Sequence, residues 1–270
     1  MQKLPYIDQI KDALVEAGEL DILPRYQQLA CGDIIEKNPG DVVTIADIEA
    51  EERLTKSLTA LVPGSVVVGE EAHHKNPDII NRINEHDYVW LVDPVDGTGN
   101  FVAGNPTFCV MAALLVKGEP HMACIYDPIT KNTAFAEKDN GAYLNHVPIK
   151  TPNAVSFEDM VGQVNLGLFD REKQGQAKSA FNNTFKTIDR MRCAGQDFVN
   201  QALGRRHFAL YRYLWSWDHV PGVLILREAG GHVARIDGKD YQAQDRAYGL
   251  LSAPDKDSWE ALNQYFKDVV

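Results

Sequence analysis

Positive charge is what this sequence is shortest of: 27 lysines and arginines face 38 aspartates and glutamates, for a formal net charge of −11. A surface that acidic repels polyanions, which argues against nucleic acid or anionic membrane as a default partner. A long apolar run is missing as well. The longest stretch without charge, Gly97 to Val116, is broken by Asn100, Gly104, Asn105 and Pro106. Only Phe108–Val116 is continuously apolar, too short to cross a bilayer. The opening residues place acids and polar groups where a signal peptide needs an apolar core, so neither export nor a membrane anchor is expected. Cysteine is scarce and scattered: Cys31, Cys109, Cys124 and Cys193 form no CxxC pair and no close Cys/His spacing. That excludes an ordinary structural zinc site and fits a reducing cytoplasm. Cys109 and Cys124 sit in apolar runs and read as buried free thiols. Internal repeats and low-complexity tracts are absent too.

What is present is a globular composition, 270 residues with 44% hydrophobic side chains, near the size at which one core starts to divide into two lobes. The opening up to about Ala30 reads as helical, interrupted near Pro24. Asp41–Thr44 is a short strand, Asp47 a cap for the next helix, and Leu54, Leu58 and Leu61 that helix's buried face. Pro63-Gly64 ends it. Val66–Val68 reads as a strand that delivers Glu70 and Glu71, one expected as a ligand and the other as a solvated neighbour. Tyr88–Val92 delivers Asp93 and Asp96 in the same way. Phe108–Val116 pairs with His121–Tyr126, and Thr133–Glu137 with Ala142–Leu144, around two turns. Residues 150–190 are polar and give no clear periodicity; a boundary between an N-terminal lobe, 1–148, and a C-terminal lobe, 149–270, is expected at their start. Trp217-Asp218 precedes a helix that Gly230-Gly231 stops, Val233–Ile236 is a strand, and Trp259, Leu262 and Phe266 line a last helix. His73-His74 reads as a solvated loop or part of a flap near the acids, and Arg205-Arg206-His207 as a solvated basic face.

Chemistry concentrates in Asp93-Pro94-Val95-Asp96-Gly97-Thr98-Gly99-Asn100-Phe101. An apolar strand ending in two aspartates is costly unless their charges meet a cation. Oxygen ligands without histidine or thiol select hard ions such as Mg2+. Val95 offers a backbone carbonyl, and the N–H groups around Gly97 and Thr98 can face an anion at a helix start. Each acid has a plainer reading alone: a turn for Glu70-Glu71, a helix cap for Asp47 and for Asp218. Together, four sets of oxygen donors at element ends point to a shared metal centre.

This nine-residue element resembles the metal-binding signature of the inositol monophosphatase family. Asp41–Asp47, Gly69-Glu70-Glu71, and Trp217-Asp218-His219-Val220-Pro221-Gly222 followed by Glu228–Gly231 occur in that family's order. The resemblance implies a layered α-β-α-β-α sandwich, usually dimeric. It further implies that Glu70, Asp93 and the Val95 carbonyl hold one Mg2+, that Asp93, Asp96 and Asp218 hold a second, and that Glu70 helps a weaker third, with Mn2+ a possible substitute. By the same resemblance Thr98, polarised by Asp47, orients the water that attacks phosphorus, and lithium inhibits. The chemistry implied is hydrolysis of a small phosphomonoester, inositol 1-phosphate or a related sugar or polyol phosphate. Departures touch the substrate side. Tyr211 stands where the family carries a sugar-binding glutamate, the family's Gly-(Ser/Thr)-Ala step appears as Gly195-Gln196-Asp197, and Arg212 would read a second anionic group or serve the surface. These differences leave room for a bisphosphate nucleotide or histidinol phosphate. A partner role in an RNA-processing or transcription complex is the alternative of another class.

Overall fold

Runs that stay apolar through both faces of a strand need covering on both sides, and two such runs, Trp90-Leu91-Val92 and Cys109–Leu115, form the centre of this chain. The computed structural model describes residues 7–38, 41–246 and 249–269. The first six residues of the expected opening helix, and the side chain of Cys31, lie outside the described residues. A two-stranded hairpin, Ile34–Asn38 (β1) and Asp41–Thr44 (β2), stands beside the main body. The larger sheet has seven strands in sequential order. Val66–Gly69 (β3) runs parallel to Tyr88–Asp96 (β4). From β4 the chain meanders antiparallel through Cys109–Val116 (β5), Glu119–Asp127 (β6), Asn132–Glu137 (β7), Ala142–Leu144 (β8) and Val147–Ile149 (β9). Lys117 and Gly118 turn the β5–β6 hairpin with φ of 53° and 80°, the pair of positive angles that matches strand twist.

Ile7–Ala17 (α1) and Ile45–Leu61 (α2) cover one face of this sheet, burying Ile10, Leu14, Leu54 and Leu58 against Trp90, Val92 and Leu114. Glu70–Lys75 (α3), Arg82–Glu85 (α4) and Thr98–Val102 (α5) are short helices at strand ends. The second sheet has five strands in the order β11-β10-β12-β14-β13: Val161–Val164 (β10), Thr187–Ile188 (β11), Phe208–Tyr211 (β12), His232–Arg235 (β13) and Leu250–Ala253 (β14). Ala194–Ala202 (α7) and Ser216–Glu228 (α8) fill the space between the sheets, where Phe198, Val220 and Ile225 meet Met111, Ile125 and Ala209. Gln174–Thr184 (α6) and Lys256–Asp268 (α9) close the outer face with Phe181, Trp259, Leu262 and Phe266. The layers therefore run α-β-α-β-α, as the resemblance implied. No helix among the described residues is long and apolar enough to cross a membrane.

Several local expectations change. Thr44, not Asp47, is the N-cap of α2; Asp47 occupies the third helical position and closes a capping box by reaching back to Thr44. Asp218 likewise lies inside the first turn of α8, behind Trp215 as N-cap, and Pro221 falls within the helix. The polar stretch 150–190 carries β10, α6 and β11, an edge of the second sheet too short for any sequence period to show. Glu71 is buried, because Lys37 reaches it from the β-hairpin. Arg206 is buried as well, drawn in by Asp197 and Asp189. His73 and His74 lie on α3 rather than in a loop: His73 is part-buried with its ring against Trp215 and Trp217, at 5.2 and 4.9 Å between centroids, and His74 is exposed.

Candidate metal centre

β3 and β4 run side by side, so their C-terminal ends open at one edge of the sheet and deliver Glu70 and Asp93 to one place. The first turn of α8 adds Asp218 from the layer behind. One oxygen from each of Glu70, Asp93 and Asp218 falls within 4.8 Å of the others. Asp93 is 2% exposed and its Oδ1 has no hydrogen-bond partner. Burial raises the Asp93 carboxyl well above its ordinary range, and the charges of Glu70, Asp96, Asp218 and Asp47 push it further. Asp218 is raised for the same two reasons, burial first and then Glu70 and Asp96. Glu70 is pushed up to about 8, by burial first; Lys37 opposes this and Glu71 adds to it. Three acids held this way, with an orphaned buried oxygen among them, fit a hard divalent cation, and oxygen donors suit Mg2+ or Mn2+ over softer ions.

The β-hairpin brings a cation of its own. Lys37 Nζ lies 3.0 Å from Glu70 Oε1 and 2.7 Å from Glu71 Oε1, with its side chain 4% exposed. Those carboxylates raise its pKa against the opposing effect of burial. Nothing in the local sequence pattern marked Lys37. Glu51 was missed too, although it follows Asp47 by one helical turn on the same face of α2. Its oxygens accept the N–H groups of Glu71 and Ala72 at 2.8 Å each, anchoring the start of α3 and with it Glu70.

Asp47 and Thr98 meet beside the acids. Thr98 Oγ1 is 3.0 Å from Asp47 Oδ1 and 2.9 Å from the Val95 carbonyl, two acceptors for its single proton. Asp47 Oδ2 accepts from the Thr44 N–H at 2.8 Å and the Thr44 hydroxyl at 2.5 Å. Burial pushes the Asp47 carboxyl up to about 6, the Thr44 bonds pulling against it. Gly97 holds φ of 94° at the start of α5, and a Cβ there would come within 2.9 Å of the Thr107 carbonyl. Asn100 then donates its amide to the carbonyls of Thr107 and Met191 at 2.7 and 2.9 Å, tying the acidic segment to the loop before α7.

Asp96 stands slightly apart. Its Oδ2 accepts from the Gly195 N–H at 2.6 Å, from Cys193 Sγ at 3.2 Å and from Cys109 Sγ at 3.6 Å. The two thiols are 3.7 Å apart, and Cys109, Cys124 and Cys193 are free and buried. Gly195 is required where it is, since a Cβ would press within 2.3 Å of Met111 Sδ. Gln196 turns away: its amide donates to the Phe108 carbonyl at 2.8 Å, and it borders a separate cavity with Asn200 and Arg205. Tyr211 is buried, its hydroxyl donating to Asp197 Oδ2 at 2.6 Å. Asp197 in turn sits 2.5 Å from Arg206 Nε. Arg212 borders a cavity of 240 Å³ with Asp96, Asp218, Arg190 and Arg192. On the other side of Asp218 a wider cleft of 580 Å³ is walled by Tyr213, Trp215 and His73, with Trp215 stacked on Trp217 at 8° between planes.

A sequence model of the inositol monophosphatase family matches residues 7–270. The chain belongs to the inositol monophosphatase family. The Nus factor SuhB of Xylella fastidiosa is 31% identical over 251 residues, 91% of this chain and 86% of that protein. The inositol monophosphatase of Dictyostelium discoideum is 30% identical over 247 residues, 89% and 88% of the two chains. Among solved structures, the extragenic suppressor protein SuhB of Bartonella henselae superposes with a TM-score of 0.83 over 98% of this chain and 99% of its own, at 24% identity. That likeness establishes the fold. The phosphatases of this family generally use divalent metals.

Proposed function

We propose that this protein hydrolyses a small phosphomonoester in a divalent-ion-dependent reaction, with inositol 1-phosphate or a related sugar or polyol phosphate as substrate. The observation that carries the proposal is the convergence of Glu70, Asp93 and Asp218, with an unpaired buried oxygen on Asp93, near the hydrogen-bonded Thr98–Asp47 pair. Glu70, Asp93 and the Val95 carbonyl would hold one Mg2+, and Asp93, Asp96 and Asp218 a second. Bound there, the ions supply positive charge for the phosphate and lower the pKa of a water. The chain's own residues do the rest. Thr98 fixes the direction of the attacking water, and Asp47, through Thr98, provides the acceptor toward which its proton moves. Water oxygen bonds phosphorus as the phosphorus–alcohol bond breaks, and the departing alcohol takes up a proton. The acidic surface is no obstacle once ions reverse the local charge.

Phosphate release from inositol 1-phosphate and a panel of nucleotide and sugar phosphates tests this, with Mg2+ and with chelator. Release that depends on Mg2+ and vanishes in Asp93→Asn is the expected result; Mg2+-independent release, or none, overturns it. Inhibition by lithium, a homodimer and a cytoplasmic location belong to the same proposal. A second reading is favoured by the name Nus factor that the Xylella relative carries: partnership in a transcription complex. Asp96→Asn separates the two. Loss of phosphate release with survival of a cellular phenotype would make the interaction the principal role.

A further inference from the structure

On a chain of net charge −11, three arginines line one 240 Å³ cavity that Asp96 and Asp218 also line. Arg190 and Arg192 come from the loop before α7, and Arg212 from the end of β12. Arg190 and Arg192 form no ion pair with a carboxylate among the described residues. Burial and the neighbouring Arg192 charge both lower the pKa of Arg190, the mark of like charges held together. Both side chains are exposed, so their donors are open to an anion that enters the cavity.

The loop is also built to keep its position. Arg192 holds φ of 56°, a left-handed conformation that a non-glycine residue adopts only when its surroundings impose it. The imposing group is Asn100, whose amide reaches the Met191 and Arg192 carbonyls at 2.9 and 3.3 Å. Arg212 is seated from the other side. Its guanidinium lies 4.8 Å over the Tyr213 ring and so close to Gly167 that a Cβ there would come within 2.6 Å of it.

Resting on the phosphatase reading above, we infer that the substrate carries a second oxyanion, a carboxylate or another phosphate, which Arg190, Arg192 and Arg212 receive while the reacting phosphate lies at the metal centre. Forked guanidinium donors match the planar faces of either group. The substrate class narrows from neutral polyol phosphates to phosphomonoesters with a further negative charge on the alcohol portion.

Calorimetry with matched ligands tests this. Glycerol 2-phosphate is paired with 2-phosphoglycerate, which adds a carboxylate, and a nucleoside 2′-phosphate is paired with its 2′,5′-bisphosphate. Ca2+ replaces Mg2+ to hold turnover back. The second oxyanion is expected to tighten binding about tenfold or more in at least one pair, the scale of a charge-assisted hydrogen bond. Arg190→Ala and Arg212→Ala erase that preference, Arg190→Lys restores part of it, and the preference shrinks as salt rises. Equal affinity within both pairs, no binding of any ligand, or a preference untouched by both alanine variants overturns the inference. Phosphate release from glycerol 2-phosphate with Mg2+ is measured alongside, so failure of the phosphatase reading is seen separately.

Discussion

Substitution of Gly69 by alanine should disable the site from a position that touches no ligand. Gly69 ends β3 and precedes Glu70, and the Glu51 carboxylate lies over its Cα. A Cβ at Gly69 would sit among the Glu51 carboxylate atoms, within 2.8 Å of both oxygens. Glu51 has nowhere to retreat without releasing the Glu71 and Ala72 N–H groups that it accepts at 2.8 Å. Each charge-assisted bond of this kind contributes roughly 1.5–3 kcal/mol, so losing both predicts a destabilisation on the order of 3–6 kcal/mol. Relief by moving the backbone instead shifts the start of α3 and carries Glu70 and Glu71 off Lys37 and Asp93. Either route weakens divalent-ion binding. Urea denaturation should show a lower midpoint with unchanged slope, and calorimetry a weaker Mg2+ affinity. Gly69→Ala with native stability and native Mg2+ affinity would refute the reasoning, because it would mean that Glu51 does not position the acidic turn.

Other expectations follow from the same geometry. Thr98→Val removes the hydroxyl between Asp47 and the Val95 carbonyl; turnover should fall by about 10²–10⁴ while Mg2+ uptake in calorimetry stays near native, and full activity would exclude the assigned role. In the ion-free protein, Asp47 is raised from 3.8 to about 6, Glu51 from 4.5 to about 7 and Glu70 from 4.5 to about 8. The folded state therefore binds more protons than the unfolded one, so this stability is complete below about pH 4 and is lost as pH rises toward 8. Thermal melts in chelator should fall across that window and Mg2+ should oppose the fall, with affinity rising as protons leave; a flat profile would show the acids ionised throughout. Tyr211→Phe strips a donor from fully buried Asp197 and should cost roughly 1–3 kcal/mol in denaturation, with a negligible change indicating that water takes its place.

Sequence legibility followed chemical density. The Asp93–Phe101 element announced itself because two acids at the end of an apolar strand have few uses, and β4, β5, α2 and α9 followed from unbroken runs or helical spacing. What could not be read was whatever depends on partners far away in the chain. Lys37 looks like any hairpin lysine until Glu70 and Glu71 arrive 33 and 34 residues later. Arg206 reads as a surface charge until the fold places Asp197 and Asp189 against it. Tyr211 aligned with a substrate-side position, yet only the tertiary structure reveals its hydroxyl on Asp197. The far edge of the five-stranded sheet hid for a different reason: β11 has two residues and β10 four, only one or two repeats of a strand's alternation.

Lys37 also sets how the acidic cluster behaves in a sample stripped of metal. A diffusible counter-ion is lost on dialysis, whereas an ammonium carried by the β1–β2 hairpin stays at a concentration fixed by chain length alone. Dilution cannot remove it, and burial limits what added salt can do. The protein thereby carries a tethered electrolyte of its own, one that keeps mutually repelling carboxylates tolerable between metal loadings.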